Sequence, residues 1–257
     1  MGLLVLIKQH KMKFLKKILS YPLSILHYMA FGLFLIIFHP IQWLAFNLGG
    51  YQAHKKVVDY LNLCLTSTLL ILGTWVKFKN IDRLPENASL IFVSNHQSTY
   101  DIPPIYWFLR KFHPKFVSKI ELGKGIPSVS YNLSHGGSVL IDRKDARQSL
   151  RALGAFGEYI ASNKRAAVIF PEGTRSKNGI PKPFKEKGLK IIIKKVPDSY
   201  VVPISINNSW KVVQYGFPLD LFHKITFDIH EPIKTDSLPF DELFQKAEKM
   251  VKDGLVV

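Results

Sequence analysis

"ASLIFVSNHQSTYDIPP", residues 88–104, is the stretch whose reading decides the fold. Its first part, SLIFV, is a short apolar run rich in strand formers and bounded by turn residues, which predicts a buried strand. The run stops at Ser94-Asn95, and a histidine and an aspartate follow, His96 and Asp101, with two prolines behind them. Pro103 and Pro104 suit the opening turn of a helix, where a missing N–H is no loss. The segment therefore reads as strand, polar loop, helix, with ionisable side chains in the loop.

The same grammar repeats downstream. "GGSVLIDR" (136–143), "AAVIFPEG" (166–173) and "YVVPISIN" (200–207) are short apolar runs between turn residues and predict strands. "PPIYWFLRKF", "DARQSLRALGAFGEYIASN" and "KGLKIIIKKV" between them predict helices. "KITFDIHEPI" (224–233) alternates polar and apolar residues and predicts a strand nearer an edge. "SLPFDELFQKAEKMVKD" (237–253) predicts a closing helix, with Asp241 and Glu242 early and lysines late, as the helix dipole prefers. Strands alternating with helices indicate an α/β fold with a mostly parallel sheet flanked by helices.

The first third differs. Residues 1–20 carry Lys8, Lys11, Lys13, Lys16 and Lys17 and no acid, and residues 21–54 hold no Lys, Arg, Asp or Glu. A second uncharged run, "YLNLCLTSTLLILGTWV", occupies 60–76. About 18 or more apolar residues are long enough to cross a bilayer. The expectation is a two-helix hydrophobic membrane segment over 1–76 and an α/β domain over 77–257. A secretory signal peptide fits poorly, because the apolar run is too long and no small-residue cleavage site follows it cleanly. The basic start points to the cytoplasmic side, and Lys55 and Lys56 in the connector suit a loop that stays there. Two helices embedded in one leaflet, with Pro40 permitting a bend, are expected; a spanning hairpin is the alternative. Both leave the second domain cytoplasmic.

Composition narrows the chemistry. The chain has 257 residues and a net charge of +16, which favours an anionic partner. No nucleic-acid motif is present and the basic residues adjoin the apolar segment, so anionic lipid is a simpler partner than nucleic acid. A single cysteine, Cys64, excludes an intrachain disulfide, and the scattered histidines lack the spacing of a zinc site.

In open α/β sheets, sites form at the carboxyl ends of strands. Three of the predicted strands end in ionisable groups: Asn95-His96, Asp142-Arg143 and Glu172-Gly173-Thr174-Arg175. Together they supply a histidine base, a carboxylate to fix its tautomer, and two arginines. No GxSxG elbow accompanies them. The attacking hydroxyl then belongs to a substrate, and two arginines suit a substrate that carries a phosphate.

These blocks resemble those of the glycerolipid acyltransferases, the 1-acylglycerol-3-phosphate acyltransferase family. "NHQSTYD" resembles its NHxSxxD block, "GGSVLIDR" its second, "FPEGTRS" is identical to the usual third, and "VVPISI" is similar to the fourth. The resemblance covers roughly residues 77–210. It implies His96 as general base and Asp101 as its partner. It implies that Arg143, Glu172, Gly173, Thr174 and Arg175 surround the glycerol phosphate. "KIELGKGIPSVS" resembles a further family segment and puts Lys119 near the phosphate as well. Two departures stand out: Ser130 replaces a common glycine, and "PFKEKG" is a residue longer than the common "PFKxG".

The implied reaction moves a fatty acyl group from a thioester donor, acyl-CoA or acyl-carrier protein, to the free hydroxyl of lysophosphatidate. It needs no metal or bound cofactor. Backbone N–H groups near 95–97 or at Gly173 are candidate oxyanion donors. Glycerol-3-phosphate or another lysolipid is the alternative acceptor. A catalytically dead lipid-binding protein of this fold is the alternative of another class.

Overall fold

The computed structural model describes residues 2–256, with side chains from residue 10 onward, so Met1, Val257 and the Lys8 side chain lie outside the described residues. The α/β expectation holds. Eight strands form one sheet in the order β1-β7-β6-β2-β5-β3-β4, with β8 pairing β6. They are β1 (Trp75–Lys79), β2 (Ser89–Ser94), β3 (Pro114–Lys119), β4 (Val139–Ile141), β5 (Ala166–Ile169), β6 (Ser199–Asn207), β7 (Lys224–Ile229) and β8 (Ile233–Lys234). The pairs β6/β2, β2/β5, β5/β3 and β3/β4 are parallel. β7 and β8 run antiparallel to β6, and β1 runs parallel to β7.

Strand β2 lies between β6 and β5 and is buried on both faces. Alternation splits its side chains between two cores. Leu90 and Phe92 join one with Ile105, Val202 and Phe227; Ile91 and Val93 join the other with Leu153, Ile192 and Leu243. The second face is covered by α4 (Ala146–Ser162), α5 (Glu186–Lys195) and α7 (Phe240–Asp253). Asp145 caps α4 by accepting the Gln148 N–H at 3.0 Å, the work expected of an aspartate at that position. The first face is covered by α2 (Ile102–Phe108), with its prolines in the first turn, and by part of the N-terminal segment.

That segment, α1 (Gly2–Ser67), departs from expectation in where it bends and in what its second part faces. Pro40 lies within the helix, and the break falls instead at Gly50, with φ 64° and ψ −160°, a conformation glycine tolerates and other residues resist. After Gly50 a second helix runs to Ser67, and the second uncharged run continues into a 3₁₀ turn over Thr68–Leu72. Val58, Leu61, Leu65, Leu69 and Leu72 are buried on the domain while Tyr60 and Leu70 are exposed, so this part lays one apolar stripe on protein. Before Gly50, by contrast, Ile25, Met29, Leu33, Ile36 and Leu48 are exposed. Among the described residues one candidate span, His10–Leu72, is long and apolar enough to cross a membrane, and only 11% of its most apolar 18-residue window is buried in protein.

The expected position of β7 near an edge holds, with only β1 outside it. Two other sheet expectations change. β1 begins at Trp75, inside the expected N-terminal segment, because WV looks like the tail of an apolar run until its partner Lys224–Ile225 is known. β3 and the helix α3 (Val129–His135) were not foreseen: the lysines of "PKFVSK" hide a strand whose first half, Lys115 included, is buried.

Candidate active site

The first block is anchored by Asn95. Its amide donates to the Ile206 carbonyl at 2.9 Å and accepts the Ile206 N–H at 2.7 Å, so a side chain continues the β2/β6 ladder for one more step. Only a side chain with both a donor and an acceptor can do this. Ser94 adds a hydroxyl bond to the Ile204 carbonyl at 2.8 Å. The chain leaving β2 is thereby held rigid up to His96.

His96 Nδ1 lies 2.7 Å from Asp101 Oδ2. The Asp101 side chain is fully buried, whereas that of His96 is 19% exposed, so the pair has one dry end and one open end. Asp101 Oδ2 also accepts the Gln97 and Ser98 N–H groups at 2.7 and 3.0 Å, and its Oδ1 accepts the Ser209 hydroxyl. Ser98 Oγ accepts the Tyr100 N–H at 3.1 Å, which completes a capping box ahead of α2. Asp101 thus caps a helix and orients His96 with the same carboxylate. A carboxylate accepting from Nδ1–H leaves the lone pair on Nε2, on the open side.

The third block packs beneath. Phe170, at the end of β5, stacks on the His96 ring with centroids 4.2 Å apart. Ser176 ties the loop down, its N–H and hydroxyl both donating to the His96 carbonyl at 2.8 and 3.1 Å. Glu172 departs from the expected substrate contact. It is buried, and its two oxygens accept the His96 N–H at 2.7 Å and the Lys182 N–H at 2.8 Å. It fixes backbone on both sides of the site. Burial raises its carboxyl above the usual range, against the lowering by those two N–H bonds.

Gly173 has φ +71°, and its N–H donates to the Phe170 carbonyl at 3.0 Å. The N–H groups of His96, Gln97 and Gly173 are therefore all engaged, and the expected oxyanion donors at these three positions are not free. Arg175 is exposed and donates to Thr99 Oγ1 at 2.7 Å, beside the histidine loop. Thr174 Oγ1 accepts from Lys182 Nζ at 2.6 Å.

Lys119 and Arg143 end β3 and β4, which continue the sheet beyond β5. Both side chains are exposed, and neither hydrogen-bonds the His96 group among the described residues. At about 4.8 Å per strand, β4 stands roughly 14 Å from β2, so the backbone of Lys119 and Arg143 lies farther along the sheet edge from His96 than the loop that carries Arg175. Burial lowers the Arg143 guanidinium somewhat, with Glu121 opposing.

Three contributors escaped the sequence reading: Ser209, Phe170 and Ser176. Ser209 follows β6 directly and begins α6 (Ser209–Val212), where Gln97 Oε1 accepts its N–H at 3.0 Å. Its position just past "VVPISI" was a usable signal, since that stretch already resembled the family's fourth block.

A buried carboxylate–histidine pair at the carboxyl edge of a parallel sheet, with basic residues along the same edge, defines an enzyme of acyl-transfer type by comparison with known proteins. The family described as Acyltransferase matches residues 75–207. A 1-acyl-sn-glycerol-3-phosphate acyltransferase from Helicobacter pylori is 35% identical over 184 residues, 68% of this chain and 73% of that protein. One from Saccharomyces cerevisiae is 31% identical over 196 residues, 73% of this chain and 60% of that protein. The crystal structure of the 1-acyl-sn-glycerophosphate (LPA) acyltransferase PlsC from Thermotoga maritima superimposes with a TM-score of 0.78 at 25% identity, covering 93% of this chain and 95% of that one. The chain belongs to the 1-acylglycerol-3-phosphate acyltransferase family.

Proposed function

We propose that the protein transfers a fatty acyl group from a thioester to the free hydroxyl of 1-acylglycerol-3-phosphate, forming phosphatidate. The observation that carries this reading is the His96–Asp101 geometry, in which Nδ1 is engaged and Nε2 faces the open side. The names of the relatives support the acceptor. His96 takes the proton of the acceptor hydroxyl as its oxygen attacks the thioester carbonyl. The C–O bond forms, the C–S bond breaks, and the proton passes to the departing thiolate. Asp101 holds the tautomer and stabilises the imidazolium. Arg175, Lys119 and Arg143 attract the phosphate along the sheet edge, and Glu172 and Gly173 shape the loop. No metal or bound cofactor takes part, and acyl-CoA or acyl-carrier protein is a co-substrate.

Within the N-terminal segment, the part of α1 before Gly50 acts as the membrane anchor, with the catalytic domain on the cytoplasmic side. The exposed apolar residues of α1 before Gly50 support embedding in lipid.

The test is turnover of the full chain in detergent micelles with lysophosphatidate, glycerol-3-phosphate and lysophosphatidylethanolamine, each with both thioesters. Phosphatidate formation from lysophosphatidate should dominate. A higher kcat/KM for glycerol-3-phosphate would overturn the acceptor, and acylation of none would leave the dead-enzyme reading standing.

A further inference from the structure

Outside α1, three aromatic rings crowd the connection between α6 and β7: Tyr215, Phe217 and Phe222, each more than half exposed at 72%, 53% and 58%. Grouped exposed aromatics on a soluble surface call for a partner. The connection is fastened to the N-terminal segment. Lys16 Nζ pairs with Asp220 Oδ1 at 2.7 Å. The Leu219 N–H donates to Ser24 Oγ at 2.8 Å, and the Phe222 N–H to the Leu72 carbonyl at 2.9 Å. Phe217 sets its ring edge-on to Tyr21 at 5.8 Å and stacks with Tyr28 at 6.5 Å. Phe222 adopts φ 63°, which a bulky side chain seldom does, and its ring lies against Gly73 so closely that an added Cβ would stand 2.4 Å away. The connection is therefore fixed beside the N-terminal segment, with the Phe217 and Phe222 rings packed on it and all three rings still more than half exposed.

What they face follows from their neighbours. Tyr21, Ile25, Tyr28 and Met29 of α1 are themselves exposed, and Phe217 extends that apolar surface without a gap. Lysines stand at the same end: Lys13 and Lys17 on α1 and Lys224 at the start of β7 are exposed. Aromatic rings beside lysines are the composition favoured at the headgroup boundary of an anionic bilayer. We propose that residues 213–222 form a second membrane-contacting element, dipping Tyr215, Phe217 and Phe222 into the phospholipid interface beside α1. This rests on reading α1 as the anchor. Its consequence is positional. The connection follows α6, whose Ser209 holds Asp101 and Gln97, so bilayer contact here fixes the height of the His96 pair above the lipid.

The test uses an environment-sensitive fluorophore on single cysteines in a Cys64→Ser background, with the full chain reconstituted in phosphatidylcholine–phosphatidylglycerol vesicles. Phe217→Cys is compared with Met29→Cys on α1 and with Lys249→Cys, an exposed site on α7, which covers the other face of the sheet. Lipids carrying a nitroxide near the headgroup should quench the Phe217 and Met29 labels alike and leave the Lys249 label bright. Quenching at Met29 with Phe217 as bright as Lys249 overturns the proposal and leaves the anchor reading standing. Loss at neither site sinks both. Tyr215→Cys gives the same readout if Phe217→Cys does not fold.

Discussion

Two buried charges sit at opposite ends of the parallel sheet, and the protein treats them differently. At the carboxyl end Asp101 is fully buried and accepts from four donors: His96, Gln97, Ser98 and Ser209. At the amino end Lys115, in the second position of β3, is 4% exposed, and among the described residues its amine has no hydrogen bond or ion pair. Its near neighbours are the Tyr51 ring, 4.9 Å from the amine, and a small cavity lined also by Asp59, Tyr106 and His113. Burial and then Arg165 draw the Lys115 amine down to about 7, with Asp59 pulling back. His113 beside it is lowered to about 4 by burial, Lys55 and Lys115.

The difference has a geometric cause. Loops that leave strands at the carboxyl end present backbone N–H groups to an anion, and the 96–101 loop closes around one. A buried cation needs oxygens, and at the amino end the nearest carboxylate, Asp59, is already paired with Lys55. A fully donated charge is a precise tool; a stranded one weakens the fold.

The sharpest way to break the satisfied end is Asp101→Asn. The side chain keeps its shape but leaves His96 in the wrong tautomer, and kcat should fall by about 10⁴-fold with folding retained. Steady-state kinetics check this, and a loss under about tenfold would reduce Asp101 to a helix cap.

Relieving the stranded end should act in the opposite sense and on stability alone. Lys115 titrates below its ordinary value when folded, so folding is unpenalised above the unfolded value near 10.5 and loses stability as pH falls towards about 7. Lys115→Met should therefore raise the Tm at about pH 7 and below by an amount worth up to a few kcal/mol, and the gain should shrink as pH rises and vanish above about pH 10.5. Turnover should not change. Melting curves across that range decide it, and a pH-independent difference would mean that the charge is not the cause.

At the open mouth of the satisfied end, Arg175→Lys retains charge but loses the planar two-pronged contact. The acceptor kcat/KM should drop by about 10- to 150-fold, with the thioester KM little moved, since a charged hydrogen bond contributes about 1.5–3 kcal/mol. A silent variant would leave only bulk attraction, recognisable by an equal salt dependence in both proteins.

The smallest effect belongs to Ser209→Ala, which removes one of the four donors. Leaving Oδ1 without its hydroxyl should cost about 1–3 kcal/mol of stability and slow turnover far less than Asp101→Asn. An equally large loss of turnover would show that Ser209, and not the loop N–H groups, sets the carboxylate.

The sequence alone determined the α/β class, the order of strand and helix through most of the domain, and the pairing of His96 with Asp101. These are local facts: apolar runs, turn residues and a separation short enough for one turn of chain to close. It also set apart the apolar N-terminal third. What tertiary structure decided is where separated segments meet. Only the fold shows that Glu172 is consumed by the backbone of His96 and Lys182, that Ser209 reaches Asp101 from beyond β6, and that Trp75-Val76 begin a strand once β7 lies beside them. Only the fold turns the second uncharged run towards protein and leaves the first exposed. Hydropathy records how apolar a segment is, and the same Leu-rich helix is satisfied by lipid or by a sheet; which one covers it depends on residues far away in the chain.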